Sequence, residues 1–142
     1  VQPAALAAAA AVVGIAVGGG AVLGATVITD RPVTGPPGTL GAYEQIDFTG
    51  TPSGIEIEGG LVPHTWGTET VLEVDGVPEL GSYEVYVLEQ SGAALASGSF
   101  LGSSLTIDCR MNAAVMRSDV SGIEIRNSDG SVLAKAAVPK AL

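Results

Sequence analysis

Cysteine and histidine are almost missing from this sequence. Its 142 residues include one cysteine and one histidine, Cys109 and His64. A single cysteine forms no internal disulfide, so a folded domain has to be stable through packing alone. A zinc site takes about four nitrogen or sulfur ligands when it is structural and about three when it is catalytic. We therefore expect no metal site and no cofactor, and a sandwich of the copper/zinc dismutase type is excluded.

Catalytic constellations are also lacking. His64 follows Pro63 in a predicted turn, where a solvated side chain is expected rather than a general base or a metal ligand. A serine nucleophile would have to be activated by that histidine, and the serines occur in turn-like strings with no nucleophile-elbow pattern. The sequence thus predicts a protein that is not an enzyme. Acidic residues that alternate with apolar ones are expected to form a solvated sheet face rather than an acid/base pair: Glu56, Glu58, Glu69 and Glu73.

Basic residues are few. Six Lys and Arg stand against 15 Asp and Glu, which gives a formal net charge of −9 at pH 7. All of this charge lies after residue 28. Nucleic-acid phosphates would repel such a chain, so we expect no nucleic acid as a partner. The same balance argues against electrostatic docking on anionic lipid.

Charged side chains are absent from the first part of the chain, which is apolar throughout. Between Ala4 and Ile28 the only polar residue is Thr26, and Asp30 and Arg31 end the run. As a helix, these 25 residues rise about 37 Å, enough to cross a hydrocarbon core of roughly 30 Å with some tilt. The pattern predicts a transmembrane α-helix within residues 1–28, surrounded by membrane lipid.

Two other interpretations of this segment fit its pattern less well. A signal peptide has a basic start and an apolar run of about 7–15 residues, whereas this run is longer and no Lys or Arg precedes it. A buried helix of a soluble domain would need helical partners, and the remaining sequence predicts strands. Because Val1 is not an initiator Met, we expect that the chain begins inside a longer protein or after processing.

Glycines are regularly spaced within the predicted span. Gly14 and Gly18 form one small-xxx-small pair, and Gly20 and Gly24 form another. Such spacing lets a helix of another membrane protein approach closely, although a chain rich in Ala and Gly also produces it by chance. Gly18, Gly19 and Gly20 each cost about 1 kcal/mol of helix propensity relative to Ala. The middle of the span is therefore predicted to unwind locally, as an intramembrane protease requires of its substrate.

Short alternating strands follow a linker. Residues 29–41 contain three prolines and three glycines, which predicts an extended connection. From Ala42 onward, turn residues recur every 8–12 positions, which predicts an all-β, immunoglobulin-like sandwich over residues 42–142. The predicted strands are 43–48, 55–58, 68–74, 82–89, 95–100, 105–109, 122–127 and 131–138.

Three further positions have structural interpretations. Trp66 is expected in the core or at a corner, because large aromatic side chains dominate burial in small domains. Arg110 could lower the pKa of the Cys109 thiol, but a half-buried free thiol is favoured. Residues 111–119 break the alternation and are predicted to form a loop with room for one helical turn.

A family resemblance covers nearly the whole chain, and its most distinctive residues begin at Trp66. Its residues are Trp66-Gly67-Thr68-Glu69, Leu72-Glu73-Val74-Asp75-Gly76-Val77-Pro78, Gly81-Ser82-Tyr83-Glu84-Val85-Tyr86-Val87, Gly92, Ser97-Gly98-Ser99-Phe100, the strand from Val120 to Ile125, and Asp129-Gly130. With the span and the linker, this order resembles the C-terminal region of actinobacterial membrane-anchored anti-sigma factors of the zinc-anti-sigma class. The resemblance implies a single pass through the plasma membrane and an extracytoplasmic sandwich. It implies a sigma factor as a partner only through a cytoplasmic His/Cys domain that this sequence does not include.

Two functional hypotheses follow. In the first, the chain is a regulatory membrane protein whose outer domain senses stress or a partner and limits protease access, until regulated intramembrane proteolysis releases the cytoplasmic part. In the second, it is a structural accessory subunit of an actinobacterial respiratory or envelope complex, docked through the small-residue face of its span. A stable complex without a sigma factor would favour the second hypothesis.

Overall fold

The computed structural model describes residues 32–141. The predicted span over 4–28 lies outside this range, as do the glycines of the predicted helix-packing and cleavage region: Gly14, Gly18, Gly19, Gly20 and Gly24. Within the described range, no helix is both long enough and apolar enough to cross a bilayer. The chain from Val33 onward forms one compact unit.

Eight strands and one 3₁₀ turn make up the described part of this unit. They are β1 (Glu44–Ile46), β2 (Glu56–His64), β3 (Gly67–Asp75), β4 (Ser82–Glu89), β5 (Ala94–Leu101), β6 (Ile107–Ala113), the 3₁₀ turn (Arg117–Asp119), β7 (Val120–Asn127) and β8 (Val132–Ala137). Two four-stranded sheets have the orders β1-β2-β3-β6 and β5-β4-β7-β8, and neighbouring strands are antiparallel. The prediction of an all-β sandwich is confirmed at this level, although β1 covers only the middle of the predicted strand 43–48.

Alternating apolar side chains place the core between the two sheets. In β4, Tyr83, Val85 and Val87 are buried, while Tyr86 and Leu88 on the other face are only half-buried. Each sheet covers the apolar face of the other, as in other two-layer β domains. The buried cluster draws on both sheets and includes Ile46, Leu61, Leu72, Val74, Val85, Val87, Met111, Val115, Val120, Ile123, Ile125 and Leu133.

Strand β2 is longer than predicted. It continues to His64, whereas the alternation of isoleucine and glutamate predicted only 55–58. The part of the strand after residue 58 was not predicted because Gly59 and Gly60 interrupt the alternating pattern, and glycine is unfavourable inside a strand. Both lie where another group approaches closely: a Cβ on Gly59 would be 2.5 Å from the Val71 carbonyl oxygen, and one on Gly60 would meet a tyrosine ring at 2.4 Å.

The segment 111–119 is a loop only in part. The strand predicted at 105–109 is β6, which starts two residues later and continues to Ala113 with its alternation intact. Strand β7 begins at Val120, before its predicted start. Between them, Arg117–Asp119 supplies the one helical turn for which the loop had room.

The end of the predicted linker 29–41 is held against the domain. Val33 forms a bridge with Ala42, and the Gly41 amide donates a hydrogen bond of 2.8 Å to the Pro63 carbonyl. The loop closed by this bridge, residues 33–42, is called the N-terminal loop. It places the start of the domain at the end of the sandwich where β2 finishes and β3 begins.

Candidate functional site

Trp66 lies at the tip of the turn that joins β2 to β3. Thr65 and Trp66 connect the two strands, and His64 pairs with Gly67 across the turn. The indole is 66% exposed, so the prediction of a core or corner residue is wrong, because a side chain at a tight hairpin turn can point away from both sheets. Gly67 has a φ of +144°, and a Cβ there would lie 2.1 Å from the Ala113 carbonyl oxygen.

A series of contacts holds the indole in place. The His64 and Trp66 rings are stacked, with centroids 4.4 Å apart and planes at 8°. His64 Nε2 lies 2.8 Å from Glu69 Oε2, and Arg110 Nη1 donates to Glu69 Oε1 at 3.2 Å. The expectation that His64 and Glu69 are solvated is wrong, since their side chains are only 22% and 14% exposed. The exposed ring is therefore presented in a fixed orientation.

Apolar side chains lie next to this stack. Leu40 is 54% exposed and Met116 is 49% exposed, and both line, with His64, a cleft of about 120 Å³. Leu40 belongs to the N-terminal loop, and Met116 directly precedes the 3₁₀ turn. Large apolar side chains that are exposed together are typical of an interaction surface. We call this surface, formed by Leu40, His64, Trp66, Glu69 and Met116, the tryptophan end.

Arg117 secures the base of the tryptophan end. Its side chain is 2% exposed, and Nε and Nη2 donate to the two carboxylate oxygens of Glu44, each at 2.7 Å. Nη2 also donates to the Pro139 carbonyl at 2.7 Å. A buried charge has to be paired and hydrogen-bonded, and here the pairing joins β1, the 3₁₀ turn and the C-terminal segment. Sequence reasoning did not single out this residue.

A row of carboxylates crosses the outer face of the first sheet, away from the tryptophan end. Glu58, Glu73 and Asp108 are directly opposite one another on β2, β3 and β6, and we call these three residues the acidic row. All three are exposed, as is Glu56, so the expected solvated face is confirmed at these glutamates. Tyr43 lines a shallow cleft beside the row, and burial, followed by the charge of Glu58, raises the pKa of its hydroxyl. Among the residues described, no group of three or more His, Cys, Asp or Glu is arranged to hold a metal ion.

Cys109 is a half-buried free thiol on β6, as predicted. Burial raises the pKa of this thiol, and the neighbouring Asp108 charge raises it further. Arg110, which could have lowered the pKa, donates to Glu69 instead. The environment therefore favours the protonated, less reactive form.

Of four residues that the sequence analysis considered as possible functional groups, three lie close together in the structure and the fourth lies elsewhere. His64, Trp66 and Glu69 meet at the tryptophan end, while Cys109 packs against the core. No family model, no curated protein and no solved structure matches this chain.

Proposed function

We propose that this chain is a membrane-anchored regulatory protein resembling an anti-sigma factor, with one transmembrane helix in residues 1–28 and an extracytoplasmic sandwich that senses a signal and limits proteolysis. One observation carries the proposal. A segment of 25 residues without a charge is followed, after a few residues, by a compact acidic β domain that starts at Val33. An apolar segment of that length matches the thickness of a bilayer.

The strand order supports an immunoglobulin-like assignment. With β1 set aside, β2, β3 and β6 take the places of strands A, B and E, and β5, β4, β7 and β8 those of C′, C, F and G. The connections from β3 to β4, from β5 to β6 and from β6 to β7 each cross between the sheets, as in a Greek key. Sandwiches of this kind host many unrelated functions, so the assignment supports a recognition scaffold without implying an activity.

The Trp-Gly-Thr-Glu motif of the family resemblance has a single structural role in this domain. Trp66 and Gly67 shape the turn, the buried Thr68 hydroxyl donates to the Val115 carbonyl at 2.7 Å, and Glu69 contacts His64. The three residues after Trp66 thus help to hold one exposed indole in place. A fixed exposed aromatic ring supports a recognition role.

Regulation in this proposal proceeds in two cleavages. Release of the bridge between Val33 and Ala42 would free backbone for a first cleavage in the linker, since proteases act on extended chain. A second cleavage would follow within 18–24, where glycines weaken the helix, and would free the cytoplasmic side. A sigma factor would be bound there only by a domain outside this sequence.

Membrane fractionation tests the anchor. We expect the intact chain to sediment with membranes, to resist extraction by alkaline carbonate and to need detergent for release. Recovery of the intact chain in the soluble fraction without detergent would overturn the proposal.

Substitution of the glycines tests the second cleavage. Gly18, Gly19 and Gly20 replaced together by Leu should block release of the cytoplasmic fragment, because the helix would no longer unwind. The matched control replaces Ala7, Ala8 and Ala9 by Leu, which makes the same segment more apolar and leaves the glycines in place. Release should persist in the control, and unchanged release in both variants would contradict the mechanism.

The alternative is a structural accessory subunit of a membrane complex. The small-residue pairs Gly14/Gly18 and Gly20/Gly24 favour it, since they would let a partner helix pack closely. Blue-native electrophoresis of solubilised membranes separates the two proposals. A stoichiometric complex without a sigma factor supports the accessory subunit, and a free monomer supports the regulator.

A further inference from the structure

We infer that the tryptophan end rests in the headgroup region of the bilayer, with Trp66 as its anchor. This inference deepens the proposed function and depends on the anchoring of residues 4–28 in that bilayer. The partner it assigns to the tryptophan end is a lipid surface.

The start of the domain lies at the tryptophan end. The N-terminal loop begins at Val33 and is bonded to Pro63, next to His64. Four residues, 29–32, separate Val33 from the apolar segment. Five Cα–Cα steps of extended chain reach at most about 17 Å. A transmembrane helix in the preceding segment would therefore hold this end of the sandwich close to the membrane.

The side chains exposed at this end are types that a membrane interface accepts. Tryptophan concentrates at that interface because its ring is apolar and its N–H is polar. Trp66 has 66% of its surface free, and Leu40 and Met116 are exposed beside it. Because His64 already fixes the indole, insertion would cost little further ordering of the side chain.

The charges of the domain permit this contact despite the net charge of −9. On β3, the acidic row lies five residues from Thr68, about 17 Å at ~3.3 Å per residue. That distance is about twice the Debye length of ~8 Å at physiological ionic strength. At the tryptophan end, Glu69 pairs with Arg110 and Glu44 pairs with Arg117. The large side chains exposed at this end are therefore apolar, and the acidic row lies outside it; Asp119 in the 3₁₀ turn is an exposed carboxylate near this end.

The opposite end of the sandwich provides a matched comparison. Leu80 and Leu105 are 80% and 74% exposed, in the loops before β4 and before β6. They are thus at least as apolar and accessible as the tryptophan end. These loops, however, lie at the end where β2 begins at Glu56 and β3 finishes at Asp75, and the N-terminal loop lies at the other end. Charge and chain connection, and not exposure alone, select the tryptophan end.

Fluorescence of the full chain reconstituted into phosphatidylcholine vesicles tests the inference, because Trp66 is its only tryptophan. Lipids brominated near the headgroup quench an indole that touches the bilayer, and iodide quenches one in water. We expect Trp66 to lose intensity to the brominated lipid and to be protected from iodide. The control variant Trp66→Phe/Leu105→Trp moves the indole to the opposite end and should show the reverse.

The outcomes separate this inference from the proposed function. If the chain floats with the vesicles while iodide, and not brominated lipid, quenches Trp66, the inference is wrong and the anchor stands. Protection from iodide without quenching by lipid would mean that protein covers the indole, and that result overturns the inference as well. A chain that does not float with vesicles overturns the inference together with the anchor.

Discussion

The ion pair between Arg117 and Glu44 is the most deeply buried one in the described domain, with side chains 2% and 13% exposed. Removing two charges from water is costly, and the cost is offset only when the geometry is good and the remaining groups are hydrogen-bonded. Two parallel bonds of 2.7 Å and a third to Pro139 meet that condition for Nε and Nη2, while Nη1 is buried without a partner among the residues described. The pair therefore connects strand β1 to the C-terminal segment.

Arg117→Met is expected to destabilise the domain by about 3–5 kcal/mol, since Glu44 would keep its charge in a nearly buried position without a partner. The double variant Glu44→Leu/Arg117→Met should recover much of this loss, because both charges are then gone. Urea unfolding followed by circular dichroism measures the free energies. The prediction would be contradicted if the single variant had the same free energy of unfolding as the parent, or if the double variant were no more stable than the single variant.

Cys109 should react slowly with iodoacetamide at neutral pH. Burial and the Asp108 charge raise the pKa of its thiol, and only the thiolate reacts. The folded state holds this proton more tightly than the unfolded state. The corresponding stabilisation is thus complete below the unfolded pKa of about 8.5 and is lost as the pH rises through the folded value.

Alkylation rates measured against pH test this prediction, with the chain in urea as the reference. Asp108→Asn should move the profile of the folded protein to lower pH, because it removes a repelling charge while Cys109 stays half-buried. Coincident profiles of the folded and unfolded chains would contradict the prediction.

The burial of some single residues could be predicted from the sequence, and that of others could not. The half-buried Cys109 followed from its place in an alternating strand. Arg117 did not, because its partner Glu44 is 73 residues away and arginine is usually exposed. Trp66 was expected in the core or at a corner from its size, whereas its place at the tip of a hairpin turn leaves it exposed.

Among the secondary-structure elements, regular alternation was predicted well and interruptions were not. The strand at 82–89 has the predicted bounds, because each second side chain enters the core. Strand β2 was cut short at 58, since Gly59 and Gly60 lack side chains for the pattern. The close approach of the Val71 carbonyl that requires Gly59 is a tertiary contact, which a local pattern does not contain.

Gly67→Ala is expected to destabilise the domain much more than Gly92→Ala. Both glycines have positive φ, +144° and +90°, a backbone region that costs an L-residue about 1–2 kcal/mol. Only at Gly67 would the new Cβ also lie 2.1 Å from the Ala113 carbonyl oxygen, while Gly92 has nothing within 4 Å. Thermal unfolding midpoints give the comparison, and equal losses would show that the contact with β6 does not matter.

Glu73→Gln is expected to stabilise the domain by roughly 0.2–1 kcal/mol, because like charges directly opposite on neighbouring strands repel and Glu73 is the middle member of the acidic row. The gain should fall in about 1 M salt, where the Debye length is only ~3 Å. Glu79→Gln, in the exposed turn before β4, is the control. An equally large gain in stability in the control would show that the effect comes from the overall charge. A gain that does not depend on salt would show that it comes from packing.

At the scale of the whole molecule, composition predicted the fold class and left the distribution of charge open. Recurring turn residues indicated two packed antiparallel sheets, and the described domain has them. A net charge of −9 gives no information about which end is acidic, since that depends on the register that aligns β2, β3 and β6. The candidate surface was therefore not predictable from the sequence, although the apolar segment next to it was visible there.

A core shared by both sheets should make them unfold together. Leu72 in β3 and Ile125 in β7 have no exposed surface and lie in opposite sheets, and replacing either by Ala should cost about 2–5 kcal/mol. Circular dichroism of the detergent-solubilised chain in urea follows both sheets, whereas alkylation of Cys109 follows the first sheet. In a two-state transition both probes shift by the same amount in each variant. If Ile125→Ala moved the dichroism transition and left Cys109 protected, the sheets would be independent units and the shared core would not hold them together.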